Sequence, residues 1–114
     1  MAKDDYYVIA YQMLSYLYNS LKKGRDVEEA LLRYDSPLFK VKLNERYWQY
    51  IIRNLNEEGY IQGFIGQWLD DIYVISHLDK TEITPKGIDY LCENSLMEKA
   101  KAFLKEAKEI VPFA

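Results

Sequence analysis

The chain has a single cysteine, Cys92, and a single histidine, His77. One cysteine excludes an internal disulfide, and one Cys with one His cannot close a zinc site of the usual ligands. Prolines number three and glycines five, too few for a linker or a low-complexity segment, and no internal repeat is visible. No apolar run approaches the ~20 residues of a membrane span. The opening residues, Met1 to Tyr7, carry charge where a secretory leader would have an apolar core. A cytoplasmic protein is the expectation.

The most telling absence is local. Between Asn54 and Asp79 there is no lysine or arginine, while Glu57, Glu58, Asp70, Asp71 and Asp79 fall in that stretch. The missing cations lie just upstream: Lys40, Lys42, Arg46 and Arg53 stand against Glu45 alone between Leu38 and Asn54. This short basic island sits in a chain of net charge −3. A net acidic chain is an unusual nucleic-acid binder, but a segregated basic stretch is where phosphate contact would begin. What remains is ordinary: 114 residues, 49% hydrophobic and 29% charged. That is one globular domain able to bury a core without staples.

Local signals divide the chain into elements. Asp4 or Asp5 opens a first helix that runs to about Lys23 and stops at Gly24. Tyr6, Ala10, Met13, Leu14, Leu17 and Leu21 form one stripe on it, and Tyr7, Tyr11 and Tyr18 a second. A girdle that wide predicts a central core helix, with a tyrosine-rich partner surface as the alternative. Asp26 and Glu29 are spaced as a capping box, opening a short helix with Val27, Ala30, Leu31 and Tyr34 inward. After Ser36-Pro37, the alternation of Phe39, Val41 and Leu43 with Lys40 and Lys42 predicts a short extended piece. Asn44 is suited to cap a third helix, on which Trp48, Ile51, Ile52 and Leu55 keep a core stripe up to Gly59. Residues 60–65 and 72–75 read as strands of a hairpin with a loop over 66–71. Thr84-Pro85 starts a helix, and a second capping box, Ser95 with Glu98, opens a terminal helix to about Val111.

Two segments in this series resemble a known family. Leu55-Asn56-Glu57-Glu58-Gly59-Tyr60-Ile61-Gln62-Gly63 is similar to a winged-helix recognition helix running into its first wing strand. Thr84-Pro85-Lys86-Gly87-Ile88-Asp89-Tyr90-Leu91 is similar to the Thr-x-Lys-Gly turn and helix after the second. Together they resemble the YjcQ family of small proteins from Gram-positive bacteria and their prophages. The resemblance implies an α+β winged helix-turn-helix with a two-stranded wing and an added C-terminal helix. The chain is then one domain over 1–114, with a recognition helix at about 44–58, a wing at about 60–76 and a C-terminal helix at about 95–111.

Catalysis finds little in the residues. His77 has no nucleophile motif beside it, and Cys92 lacks a basic neighbour and reads as a packed thiol. The glycines match no phosphate-cradling pattern, and the acidic pairs are adjacent rather than spaced along one helical face. No cofactor, metal or enzymatic activity is expected.

The recognition helix carries the functional expectation. With its core stripe turned inward, Arg46, Gln49, Tyr50 and Arg53 share the opposite face. Arginine and glutamine can bond bidentately to guanine and adenine edges in the major groove. Lys40, Lys42 and Lys86 would take phosphates. The expected function is therefore double-stranded DNA binding by a small transcriptional regulator of phage or prophage type. The alternative is a protein-interaction module on the same scaffold, favoured by the acidic wing and the net charge. Trp68, placed at a loop tip, either folds back onto the hairpin or is an exposed anchor for a protein partner. A homodimer is expected through Met97, Ala100, Phe103, Leu104, Ala107 and Val111 on the terminal helix, against the alternative that this stripe packs within one chain.

Overall fold

The computed structural model describes residues 1–107. Helix α1 (Tyr6–Lys23) is followed by a four-residue helix α2 (Glu29–Leu32), a 3-10 turn at Pro37–Phe39 and helix α3 (Glu45–Glu57). Strands β1 (Ile61–Gln62), β2 (Ile65–Leu69) and β3 (Ile72–Ser76) come next. A second 3-10 turn, β4 (Glu82–Ile83), α4 (Pro85–Glu93) and α5 (Ser95–Glu106) complete the order. This is an α+β, winged-helix-like fold, in which β2 and β3 form the wing.

Helix α1 is the pillar. Asp5 caps it by accepting the Tyr7 amide at 2.9 Å, and Gly24 ends it with φ 63°. Every residue from Val8 to Leu17 is buried, because α3, α4, α5 and β4 all pack against this one helix. The two expected stripes thus merge into burial on nearly all sides. Leu21, expected inside, is exposed at the last turn.

The next segment departs from its local signals. No capping box forms at Asp26. The helix starts at Glu29 without a side-chain cap, and the free amide of Glu28 instead donates to the Tyr16 phenol oxygen at 2.8 Å. Leu32 is the fully buried residue of α2, while Ala30 faces solvent. The extended piece expected at 39–43 is likewise absent. Ser36 caps the 3-10 turn by accepting from the Leu38 amide at 3.1 Å, and Lys40 takes a left-handed φ of 52°. Burial still alternates, with Phe39 and Leu43 inside and Lys40 and Lys42 outside. A hydrophobic alternation needs a buried face, and here no strand was needed to supply one.

The strands form two antiparallel pairs. Ile61 faces Ile83 and Gln62 faces Glu82, closing a two-rung clasp between β1 and β4 that the sequence did not announce. Between β1 and β2, Gly63 has φ 110°, and a Cβ there would lie 1.9 Å from the Lys80 carbonyl oxygen. Only glycine fits so close a crossing. In the wing, β2 pairs with β3 from Ile65–Ser76 to Leu69–Ile72. The expected loop over 66–71 therefore shrinks to the turn Asp70–Asp71. Trp68 sits on a strand opposite Tyr73 rather than at a loop tip.

The Thr-x-Lys-Gly segment is a corner. The Thr84 hydroxyl accepts from the Gly87 amide at 3.0 Å and donates to the Gly59 carbonyl, tying the end of α3 to the start of α4. A Cβ at Gly87 would lie 2.1 Å from the Tyr60 carbonyl oxygen, so glycine lets α4 press on the chain entering β1. Cys92, expected to be packed, is exposed, because the inward side of α4 is taken by Gly87, Ile88 and Leu91.

The terminal helix is capped by Asn94, whose carboxamide oxygen accepts from Leu96 and Met97 at 2.8 and 3.4 Å. Ser95, expected as the cap, is its first helical residue. Of the stripe assigned to a dimer, Met97, Ala100 and Leu104 are buried inside the chain, in a helix packed on α1. Phe103 is half-buried and Ala107 exposed. Val111 and the expected extension of the helix to it lie outside the described residues.

Candidate nucleic-acid interface

The rotation of α3 about its axis is fixed by its neighbours. Asn44 caps the helix through the Arg46 and Tyr47 amides at 2.9 and 3.3 Å. Trp48, Ile51, Ile52 and Leu55 are all buried, as their spacing predicts. Trp48 also donates its indole N–H to the Leu32 carbonyl at 2.7 Å, and the Tyr47 hydroxyl donates to the Asp4 carbonyl at 2.6 Å. These contacts turn Arg46, Gln49, Tyr50 and Arg53 away from the core.

The four do not share one environment. Arg46 and Tyr50 are exposed, while Gln49 and Arg53 are half-buried beneath the wing. Gln49 Nε2 donates to the Tyr73 carbonyl at 3.1 Å. The Arg53 guanidinium lies 5.4 Å from the Trp68 ring centre, 5.8 Å from Tyr73 and 5.9 Å from Tyr50. Trp68 and Tyr73 pack on each other at 5.1 Å. A cation among three ring faces is held by their quadrupoles. Burial pushes the Tyr73 phenol above its ordinary pKa, against the pull of the Arg53 cation. Between α3 and the wing lies a cleft of about 490 Å³ lined by Arg46, Gln49, Arg53, Trp68 and Tyr73 together with the acids Glu45 and Asp71.

The expected phosphate ligands bracket the helix. Lys40 and Lys42 are exposed on the connection into its N-terminus. Lys86 stands near its other end, with Nζ 5.5 Å from the Tyr60 ring centre. Behind the exposed face runs a belt of tyrosines. The Tyr6 ring meets Tyr50 edge-on at 6.2 Å, and Tyr60 stacks on Tyr90 at 4.2 Å. Burial, with neighbouring phenols, raises Tyr6 and Tyr90 to about 12.

The contribution of Trp68 and Tyr73 to this site was missed from sequence. The signal was there: placing the turn at Asp70–Asp71 makes Trp68 and Tyr73 opposite neighbours on one face. His77 stands apart from the cleft, exposed at the end of β3, with Nδ1 3.3 Å from the Ser76 hydroxyl. Among the described residues no helix is long and apolar enough to cross a membrane.

A family model described as YjcQ protein matches residues 11–110, and the chain belongs to that family. No curated protein and no solved structure matches it.

Proposed function

We propose that this member of the YjcQ family binds double-stranded DNA, as a small regulator of transcription of phage or prophage type rather than as an enzyme. The observation that supports this most is the outward face of α3, where Arg46 and Tyr50 are exposed between Lys40 and Lys42 at one end and Lys86 at the other. Arg46 is free to reach a guanine edge, and the lysines to take phosphates. Gln49 has a different part. One of its two Nε2 hydrogens is already bonded to the wing and the residue is half-buried there, which holds it back from a base edge in this arrangement. Gln49 and Arg53 act here as positioning residues that set the wing against the reading helix.

A specific observation favours a second reading. The wing holds no lysine or arginine, carries Asp70 and Asp71 at its tip and exposes Ile65, Trp68, Leu69 and Ile72. Such a hairpin would be repelled by a phosphate backbone and suits a protein partner. Fluorescence anisotropy of labelled duplex DNA against salt separates the two. DNA binding through these cations predicts a slope of about −3 to −4 in log K against log salt, at ~0.9 per phosphate. No binding by micromolar protein at low salt, or a flat salt dependence, supports the interaction module instead.

A further inference from the structure

Strand β2 leaves one edge open. Leu69 and Ile72 flank a two-residue turn whose first residue, Asp70, has φ 54°. In such a hairpin the flanking pair exchanges backbone hydrogen bonds and the next pair, Trp68 and Tyr73, does not. The N–H and C=O groups of Trp68 and Tyr73 therefore point outward, as do those of Gly66 and Ile75 two residues on. On the β3 side, Gln49 takes the outward Tyr73 carbonyl. On the β2 side, no backbone group among the described residues bonds to the edge. Neither strand contains a charged residue or a proline, the usual means of blunting an exposed edge. On the face shared by Ile65, Leu69 and Ile72, those side chains are 50%, 54% and 67% exposed.

We infer that this edge docks a second copy of the chain, β2 against β2, on a two-fold axis through Gln67. Register is the first argument. An antiparallel self-pairing centred on Gln67 overlaps all five residues of the strand. It sets Gly66 of each copy opposite Trp68 of the other, the residues whose N–H and C=O point outward. All four outward groups of each copy are then satisfied. Charge is the second. An isologous contact brings like against like, so it requires a strand without charge, and β2 has none. The acidic turns fall at opposite ends of the joined sheet and do not meet. On the apolar face, Ile65 of one copy lies opposite Leu69 of the other. The marginal two-stranded hairpin becomes half of a four-stranded sheet. This inference stands apart from the DNA reading, and its test contains no DNA.

Light scattering after gel filtration at tens of micromolar should give twice the single-chain mass. Gln67→Lys should return it to the single-chain mass with an unchanged circular dichroism spectrum, because two ammonium groups would face each other across the axis. In a Cys92→Ser background, Gln67→Cys should cross-link under mild oxidation. Directly opposed residues in a non-hydrogen-bonded pair have Cα atoms ~4.5 Å apart, within the range a disulfide spans. Val74→Cys, one strand further from the axis, should not cross-link. Failure to cross-link at position 67 overturns the inference, whether the chain is then a single-chain species or a dimer joined elsewhere.

Discussion

Helix α1 and the β2–β3 hairpin are both rich in apolar and aromatic residues, and the fold treats them in opposite ways. Ten successive residues of α1 are buried from Val8 to Leu17. In the hairpin, every residue of β2 is exposed and only Tyr73, Val74 and Ile75 of β3 are partly covered. Burial in α1 is a large share of the stability of the domain, since removing apolar area from water is the main favourable term in folding. The hairpin's apolar surface contributes little of that kind. Its aromatic side holds Arg53 and its aliphatic side faces water. The contrast marks where the chain leaves hydrophobic surface outside its own core.

Substitutions on the two sides test this contrast. Trp48→Ala should have the largest effect, about 3–5 kcal/mol in denaturant titration, because it empties a core aromatic site and leaves the Leu32 carbonyl without its donor. Leu14→Ala, at a fully buried position of α1, should follow at about 2–5 kcal/mol. Alkaline pH attacks the tyrosine belt. The folded pKa of Tyr6 and of Tyr90 is raised from 10.0 to about 12, so the folded state holds these protons more tightly than the unfolded chain. Their contribution should be complete below pH 10 and lost as pH rises towards about 12, with phenolate absorbance and unfolding appearing together. Tyr6→Phe should weaken that dependence.

On the exposed side the expected effects are smaller. Arg46→Ala should remove ~1–3 kcal/mol of discrimination between DNA sequences, while Lys40→Ala and Lys42→Ala lower affinity for all sequences alike. Uniform losses from all three would make α3 an electrostatic patch that reads no bases. Gln49→Ala should cost about 0.5–1.5 kcal/mol and speed hydrogen exchange in β3 before it alters exchange in α1. Ile72→Ala should change stability by no more than ~0.5 kcal/mol. A large loss there would mean that the hairpin is part of the core after all.

Much of the fold was legible because its signals are local. Asp5, Asn44 and Thr84 cap the helices they precede, and the stripe of α3 is buried residue for residue. The failures share a cause. The Asp26–Glu29 pattern lost to the Tyr16 phenol, which arrives from another helix and takes the amide of Glu28. Ser95 lost to Asn94, whose carboxamide reaches two amides from one position earlier. In the wing, only the last two residues of the expected loop over 66–71 form the turn, because Gly66 to Leu69 pair with β3. The candidate site was legible as a helical face and not as a surface. Spacing puts Gln49 and Arg53 beside Arg46, and only the return of the chain through β3 decides that they face the wing.

The clasp between β1 and β4 separates the reach of the hairpin from the integrity of the domain. With Gln62 and Glu82 held opposite each other, residues 63–81 form a loop whose ends are fixed by the core. The entropy of closing a loop rises only with the logarithm of its length, and doubling it costs ~0.6 kcal/mol. Residues inserted between Asp70 and Asp71 should therefore leave the melting temperature almost where it was. The length of the wing is thus the dimension of this molecule that can change most freely, while α1, α3 and the Thr84 corner keep their places.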